Sequence, residues 1–327
     1  MRKLARALLP PAKIRRAETA CNAAPYTASL SPCGHELLAQ VADVVDETSS
    51  KSTGIGPEKS WIEITYPFTR SSSLRDEYVH PNGKWLRWGR LLEAVDSLSG
   101  DVAFKHAVLS GNKVEDFVVV TAAHDRLSIA ELDAHRDLRL RSYASRVGNS
   151  SMEVRTDIAQ LDTNGDEYVV GEVFTVMVGR QSQRQGPIQF APLSIASDDA
   201  EERDVQALEN QKRRKALMTN ALKLRPPTSE EVPVLHELSL QQVDMRYGVG
   251  YANCVYMSDT EMKGIQIMHY SNRNAHGKIF GGYLMRKAFE LAHICAASFL
   301  RSDSPSFIGF DDVYFCKPVS VGDVWAS

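Results

Sequence analysis

The chain has 327 residues, of which 43% are hydrophobic, 24% charged and 8% aromatic, and 38 Lys+Arg against 41 Asp+Glu give a formal net charge of -3. That length allows two domains, or one large domain with extensions, and the composition excludes collagen-like, low-complexity and wholly disordered classes. No broad basic surplus advertises nucleic acid as a partner, and the apolar stretches stop short of the ~18–20 residues that span a bilayer.

Five cysteines (Cys21, Cys33, Cys254, Cys295, Cys316) stand far apart, without a C-x-x-C pair. An odd number at such spacing fits a reducing compartment better than a disulfide framework, and no zinc-site spacing appears.

The opening MRKLARALLPPAKIRR carries Arg2, Lys3, Arg6, Lys13, Arg15 and Arg16, with no acid before Glu18. A basic, acid-poor start of this kind reads as a mitochondrial transit segment, and residues 1–40 are assigned to it or to disorder. From about residue 59, SWIEITYPF alternates like a strand, and GRLLEAVDSLSGDVAFKH switches to helical spacing. Leu91, Val95, Leu98 and Val102 share one face of that helix. Three β-type runs follow: DFVVVTAAHD, RLRSYASRVGNSSMEVRTDIAQ and YVVGEVFTVMVG, the last two joined by a turn at Asn164-Gly165. The first unit, 59–185, is thus predicted to be one long helix packed on an antiparallel sheet.

Residues 186–235 read as a linker with one exposed helix, whose charge run AEERDVQALENQKRRKALMTNALKL is a solvated face. The first pattern then returns. In 236–327, ANCVYM and KGIQIMHY look like strands, YLMRKAFELAHICAASFL has helical spacing, and SFIGFDDVYFCKPVSVGDVW begins a new sheet. Leu284, Ala288, Leu291, Cys295 and Phe299, widened by Met285, Ala292 and Ala296, form the predicted buried stripe. RWGRLLEAVDSL aligns with FGGYLMRKAFELA, so a unit of ~120–130 residues is duplicated, the second copy lacking its later strands; such a repeat is too long for a solenoid.

The stretch NAHGKIFGG, from Asn274 to Gly282, is the most informative for chemistry. Glycines at a helix start let backbone N–H groups approach a ligand, and the helix N-terminus adds partial positive charge, which suits a developing oxyanion. Equally, Gly281-Gly282 could serve only to let helix and sheet pack closely. N-x-x-G-x-I-F-G-G before an apolar helix resembles the signature of hotdog-fold acyl-CoA thioesterases. RWGRLLEAVDSL, VGNSSMEV, FTVMVGR and KPVSVGD, in that order, extend the resemblance to the double-hotdog mitochondrial type 9 family, from about Trp61 to the last residue.

That resemblance implies an α+β fold of tandem hotdogs, each a long helix wrapped by antiparallel sheet. It implies hydrolysis of fatty acyl-CoA to free acid and CoA in the mitochondrial matrix, without a cofactor or metal, by a homo-oligomer of double units. It also places a carboxylate seven residues past the second glycine. In the first unit that position is Asp96, although Trp88 replaces the first glycine and Pro81 stands where Asn274 stands. In the second unit it is Phe289, with Glu290 one residue on. Each half lacks what the other has, so a composite site is expected: Asn274, Gly281 and Gly282 from one helix, Asp96 from the other. Asp96, beside Val95 at the edge of the apolar stripe, is partly desolvated and suits a general base. Glu290 is the substitute carboxylate, with Glu93 weaker.

His269, His276 and His293 cluster near the second helix, yet a lone helical His is more often structural. DTNGDEYVVGEV mimics a calcium loop at Asp162, Asn164 and Asp166, but Glu167 stands where Gly is needed and Val173 where Glu is needed, leaving a hairpin turn. No phosphate loop, G-x-G-x-x-G or G-x-S-x-G is present, so hydrolysis would not use a serine nucleophile. Two rivals remain at this point: a non-catalytic acyl-CoA-binding or assembly subunit (or an inactive fragment), and a hotdog hydratase, which needs a His or His/Asp pair facing its substrate.

Overall fold

The computed structural model of the chain describes residues 54–326 apart from 130–131, 163–164, 184–185, 196–197, 221–224, 247–254, 275–277 and 303–304. The transit segment expected at 1–40 and Cys21, Cys33 and Cys254 lie outside the described residues.

The elements in chain order are β1 (Ile62–Tyr66), α1 (Ser72–Tyr78), α2 (Trp88–Leu109), β2 (Phe117–Ile129), β3 (Leu138–Val147), β4 (Ser151–Leu161), β5 (Glu167–Gln181), α3 (Asp198–Asn220), α4 (Glu231–Arg246), β6 (Ile265–Ile267), α5 (Gly281–Leu300), β7 (Gly309–Phe310), β8 (Val313–Tyr314) and β9 (Val324–Ala326). The helix α2 begins and ends near the bounds its periodicity predicted. Leu91, Val95, Leu98 and Val102 are each at most 1% exposed, and removing such side chains from water stabilises by ~1.5–3 kcal/mol apiece. Their partners are Phe117, Leu138, Leu140, Val154, Ile158, Val173 and Met177 from the sheet. This first unit has the helix-on-antiparallel-sheet form expected of a hotdog domain.

The sheet runs β1-β3-β4-β5-β2-β7, with β8 also paired to β2. Strands from the second unit therefore continue the sheet of the first: Leu127 pairs with Phe310 and Ala123 with Tyr314. Two strand predictions change. The run 139–160 is two strands, folded back at Gly148-Asn149-Ser150, because Gly148 N–H donates to Ser151 O and closes a tight turn. The run ANCVYM yields no strand among the described residues, and Met257–Thr260 form a helical turn instead. The β4–β5 hairpin holds as predicted, with Gly165 at φ +88 and Leu161 opposite Glu167.

The charged segment after β5 is not a solvated face throughout. The helix α3 lies on the outer side of the sheet and sends Arg214 to Asp125 and to Glu153, the latter at 2.8 Å, while Arg213 reaches Asp312 at 3.1 Å. A second helix, α4, follows it; Val232, Val234, Leu235, Leu238 and Leu240 are exposed there. In the second unit α5 forms as predicted, but its stripe is buried only near its start, at Leu284 and Met285; Ala288, Ala292 and Phe299 are exposed. Among the described residues no strands equivalent to β3–β5 cover it. No described helix is long and apolar enough to cross a membrane.

Candidate active site

The two long helices cross at glycines. A Cβ on Gly89 of α2 would stand 2.9 Å from Arg286 Cγ, and one on Gly282 of α5 would stand 2.9 Å from Glu93 Cα. Each helix therefore approaches the other where a side chain is missing. Arg286, four residues after Gly282, and Glu93, four after Gly89, meet between them at 3.0 Å, with Arg90 on the same carboxylate oxygen at 2.8 Å.

One turn beyond Glu93, Asp96 points at the start of α5. Gly282 N–H donates to Asp96 Oδ2 at 2.5 Å, Thr121 Oγ1 donates to Oδ1 at 2.7 Å, and His124 Nε2 lies 3.0 Å from the same oxygen. The carboxylate is 1% exposed. Three donors from a second helix and from β2 therefore fix its orientation. Gly281 borders it too: a Cβ there would meet Asp96 Oδ2 at 3.1 Å and Thr121 Oγ1 at 3.3 Å. The sequence reading had these glycine amides facing an oxyanion; the Gly282 amide instead holds the carboxylate.

Thr121 and His124 reach one carboxylate because β2 is bulged. Thr121 pairs with Met177 and Ala123 with Val176, leaving Ala122 as an extra residue. An inserted residue reverses the alternation of faces, so two positions three apart point the same way. Behind His124, its Nδ1 lies 3.0 Å from Thr175 Oγ1, and Ser99 Oγ donates to that hydroxyl at 3.1 Å. This buried chain was not foreseen; the only signal was TAAHD, a polar cluster inside an otherwise apolar strand.

Asn274 stands in the turn before α5, where its Oδ1 accepts Lys278 N–H at 3.1 Å and its own N–H donates to Lys278 O. Phe280 N–H donates to Asn272 O, which ties this turn to the helix start. Glu290 is not brought to the cluster. It lies two turns along α5, paired with Arg87 and with Lys287 at 3.5 Å. Burial alone would raise its pKa, but the Arg87 hydrogen bond and charge hold it below the usual range. Glu93 is committed to Arg90 and Arg286. Of the histidines, His276 lies outside the described residues, His269 is exposed, and His293 Nε2 faces His80 Nε2 at 3.4 Å.

At the pseudo-equivalent place, Phe289 replaces the carboxylate and packs edge-on against Phe307 (ring centroids 5.0 Å), which packs on Trp88 at 5.1 Å. Three aromatic side chains, Trp88, Phe289 and Phe307, therefore pack together there. Among the described residues no group of three His, Cys, Asp or Glu is placed to hold a metal ion.

No protein-family model matches the chain. It is 36% identical over 272 residues to mitochondrial acyl-coenzyme A thioesterase 9 of Mus musculus, covering 81% of this chain and 62% of the relative. To the Homo sapiens protein of the same name it is 35% identical over 298 residues, 89% of this chain and 65% of the relative. The chain thus spans a little under two thirds of the length of the curated relatives it matches. Among solved structures, acyl-CoA hydrolase from Staphylococcus aureus, in complex with butyryl coenzyme A, coenzyme A and coenzyme A disulfide, aligns with a TM-score of 0.42 and 18% identity over 56% of this chain and 98% of that one.

Proposed function

Taking its similarity to mitochondrial acyl-coenzyme A thioesterase 9 as the premise, we propose that this protein hydrolyses acyl-CoA thioesters to a free acid and CoA. The observation that carries the reading is the Asp96 carboxylate of one unit, held by the Gly282 amide at the helix start of the other. A buried, oriented carboxylate beside a helix N-terminus pairs a proton acceptor with a positive pole for developing charge.

In the proposed reaction Asp96 Oδ2 takes a proton from water as the water oxygen adds to the thioester carbonyl carbon. The new oxyanion lies toward the Gly281 end of α5 and the Asn274 amide. Collapse breaks the C–S bond, and the proton on Asp96 passes to the departing CoA thiolate. Direct attack by Oδ2, forming an anhydride that water then opens, uses the same atoms. In single-turnover hydrolysis in 18O-water, label in Asp96 identifies the anhydride route with water opening the aspartyl carbonyl, and trapping of the acyl-enzyme with hydroxylamine identifies it whichever carbonyl water attacks.

We further propose one working site per double unit, because Phe289, Phe307 and Trp88 fill the other half-site. Assembly into larger homo-oligomers and import into the mitochondrial matrix complete the reading; the basic residues 1–16 support import.

The Asp96–His124 pair also bears on a hydratase. A hydratase needs an imidazole nitrogen free for the substrate, whereas both nitrogens of His124 are engaged, Nε2 by Asp96 and Nδ1 by Thr175. The test is CoA release by the purified protein from short, medium and long acyl-CoAs, beside hydration of an enoyl-CoA. Binding without turnover favours a carrier subunit, and unchanged turnover in both Asp96→Asn and Asn274→Ala rejects the site.

A further inference from the structure

We infer that His124 is a positioning residue that makes Oδ2 of Asp96 the reacting oxygen. The inference rests on the thioesterase reading above and assigns a role to a buried chain of three side chains behind the carboxylate.

The direction of that chain follows from its donors. Ser99 Oγ donates to Thr175 Oγ1 at 3.1 Å. A carboxylate only accepts, so in a neutral imidazole Nε2 carries the proton facing Asp96 and Nδ1 accepts from Thr175 Oγ1, 3.0 Å away. The ring proton on Nε2 is donated to Asp96 Oδ1 at 3.0 Å. Ser99, Thr175 and His124 are all 0% exposed, so water does not compete for these bonds.

Counting acceptor sites gives the consequence. A carboxylate offers about four lone-pair positions. Oδ1 receives Thr121 O–H and His124 N–H, which fill its two; among the described residues Oδ2 receives only Gly282 N–H. The one position left open lies on Oδ2, on the side of Gly281, where a Cβ would come within 3.1 Å of that oxygen. Glycine there keeps the approach clear. His124 itself cannot reach a substrate, and it acts through the oxygen it occupies.

The test compares His124→Gln, whose amide can still donate to Oδ1, with His124→Leu, which keeps volume but not the donor, and with Thr175→Val, which removes the partner of Nδ1. Wild type is expected to release CoA, and imidazole 15N shifts to report the Nε2–H tautomer. His124→Leu should lose about 100-fold in kcat with KM within about twofold, and His124→Gln should recover to within about fivefold of wild type, the pattern of a misplaced catalytic group and its repair. Thr175→Val should show a mixed tautomer and a shifted pH profile of kcat. Thermal melts accompany each variant; should His124→Leu not fold, the Gln and Val variants and the 15N spectrum still decide. A Nδ1–H tautomer in wild type, or wild-type kcat and pH profile in folded Thr175→Val, or His124→Gln as inactive as folded His124→Leu, overturns the inference. A wild type without CoA release against any acyl-CoA defeats the thioesterase reading instead, whatever the spectrum shows.

Discussion

Gly89 and Gly282 mirror one another across the pair of long helices, each opposite the residue four places after the other: Gly89 against Arg286, Gly282 against Glu93. The Glu93–Arg286 ion pair sits at the centre of that exchange. The mirror is broken at one position: seven residues past Gly89 stands a carboxylate, Asp96, and seven past Gly282 stands Phe289. That break is what the proposal of a single composite site rests on.

Gly282→Ala tests the crossing. The added methyl group would lie 2.9 Å from Glu93 Cα and 3.0 Å from Asp96 Cβ, so α2 and α5 must separate. Overpacking of this kind costs about 1–3 kcal/mol, which corresponds to roughly 2–4 °C of melting temperature per kcal/mol in a domain of this size. CoA release should fall ~100-fold as the amide draws back from Oδ2. A variant that melts and turns over like wild type contradicts the close approach.

Asp96→Asn should abolish most turnover while leaving acyl-CoA affinity within about threefold, because the change removes a group used in the transition state rather than in binding. Glu290→Gln is the matched control. It breaks the pairing with Arg87 and leaves the Asp96 cluster alone, so kcat should hold. Isothermal titration with a non-hydrolysable acyl-CoA analogue separates binding from chemistry.

Arg214→Met removes the cation shared by Asp125 and Glu153, which are 0% and 3% exposed. Breaking a buried pair from one side costs about 3–5 kcal/mol, and the loss should be largest in alkaline buffer. Burial pushes both carboxyls up in spite of Arg214. As pH falls through those raised values the acids take up protons, and the variant should recover relative to wild type. Urea unfolding at pH 8 and pH 5 measures the difference; an equal loss at both rejects the account.

Burial raises the Asp101 carboxyl on α2 from 3.8 to about 7. In the unfolded chain it ionises near 3.8, so between there and about 7 the folded form holds a proton that the unfolded form has lost. Stability from this group is therefore present below pH 4 and is lost as pH rises to about 7. Asp101→Asn should match wild type in acid and exceed it increasingly up to neutral pH, with a constant gap above. Melting curves from pH 4 to 8.5 that run parallel throughout would contradict this.

Much of this architecture was legible in the sequence where a pattern was periodic or a turn chemically obligatory. Leu91, Val95, Leu98 and Val102 announced α2, and Gly165 marked the β4–β5 turn. Gly281 and Gly282 stood out as a glycine pair at a helix start, whereas Asp96 came from the resemblance to hotdog thioesterases, which places a carboxylate seven residues past the second glycine. His124 was hidden for a physical reason. Strict alternation puts it on the opposite face from Thr121, and only the bulge at Ala122, which no local motif signals, brings both to Asp96. The turn at Gly148-Asn149-Ser150 escaped because the residues flanking it read as one continuous β-type run. Arg213 and Arg214 looked solvent-directed, and what draws them onto the sheet is a set of acids from distant segments, Asp125, Glu153 and Asp312. The stripe on α5 was read as buried by analogy with α2, yet its exposure depends on strands and not on the helix.

The carboxylate and the amide that grips it are encoded 186 residues apart. Asp96, Thr121 and His124 all come from the stretch before β5, whereas the amide comes from α5. The gripping pair is complete only once α5 has docked on α2, so the oriented carboxylate depends on a contact between segments far apart in the sequence.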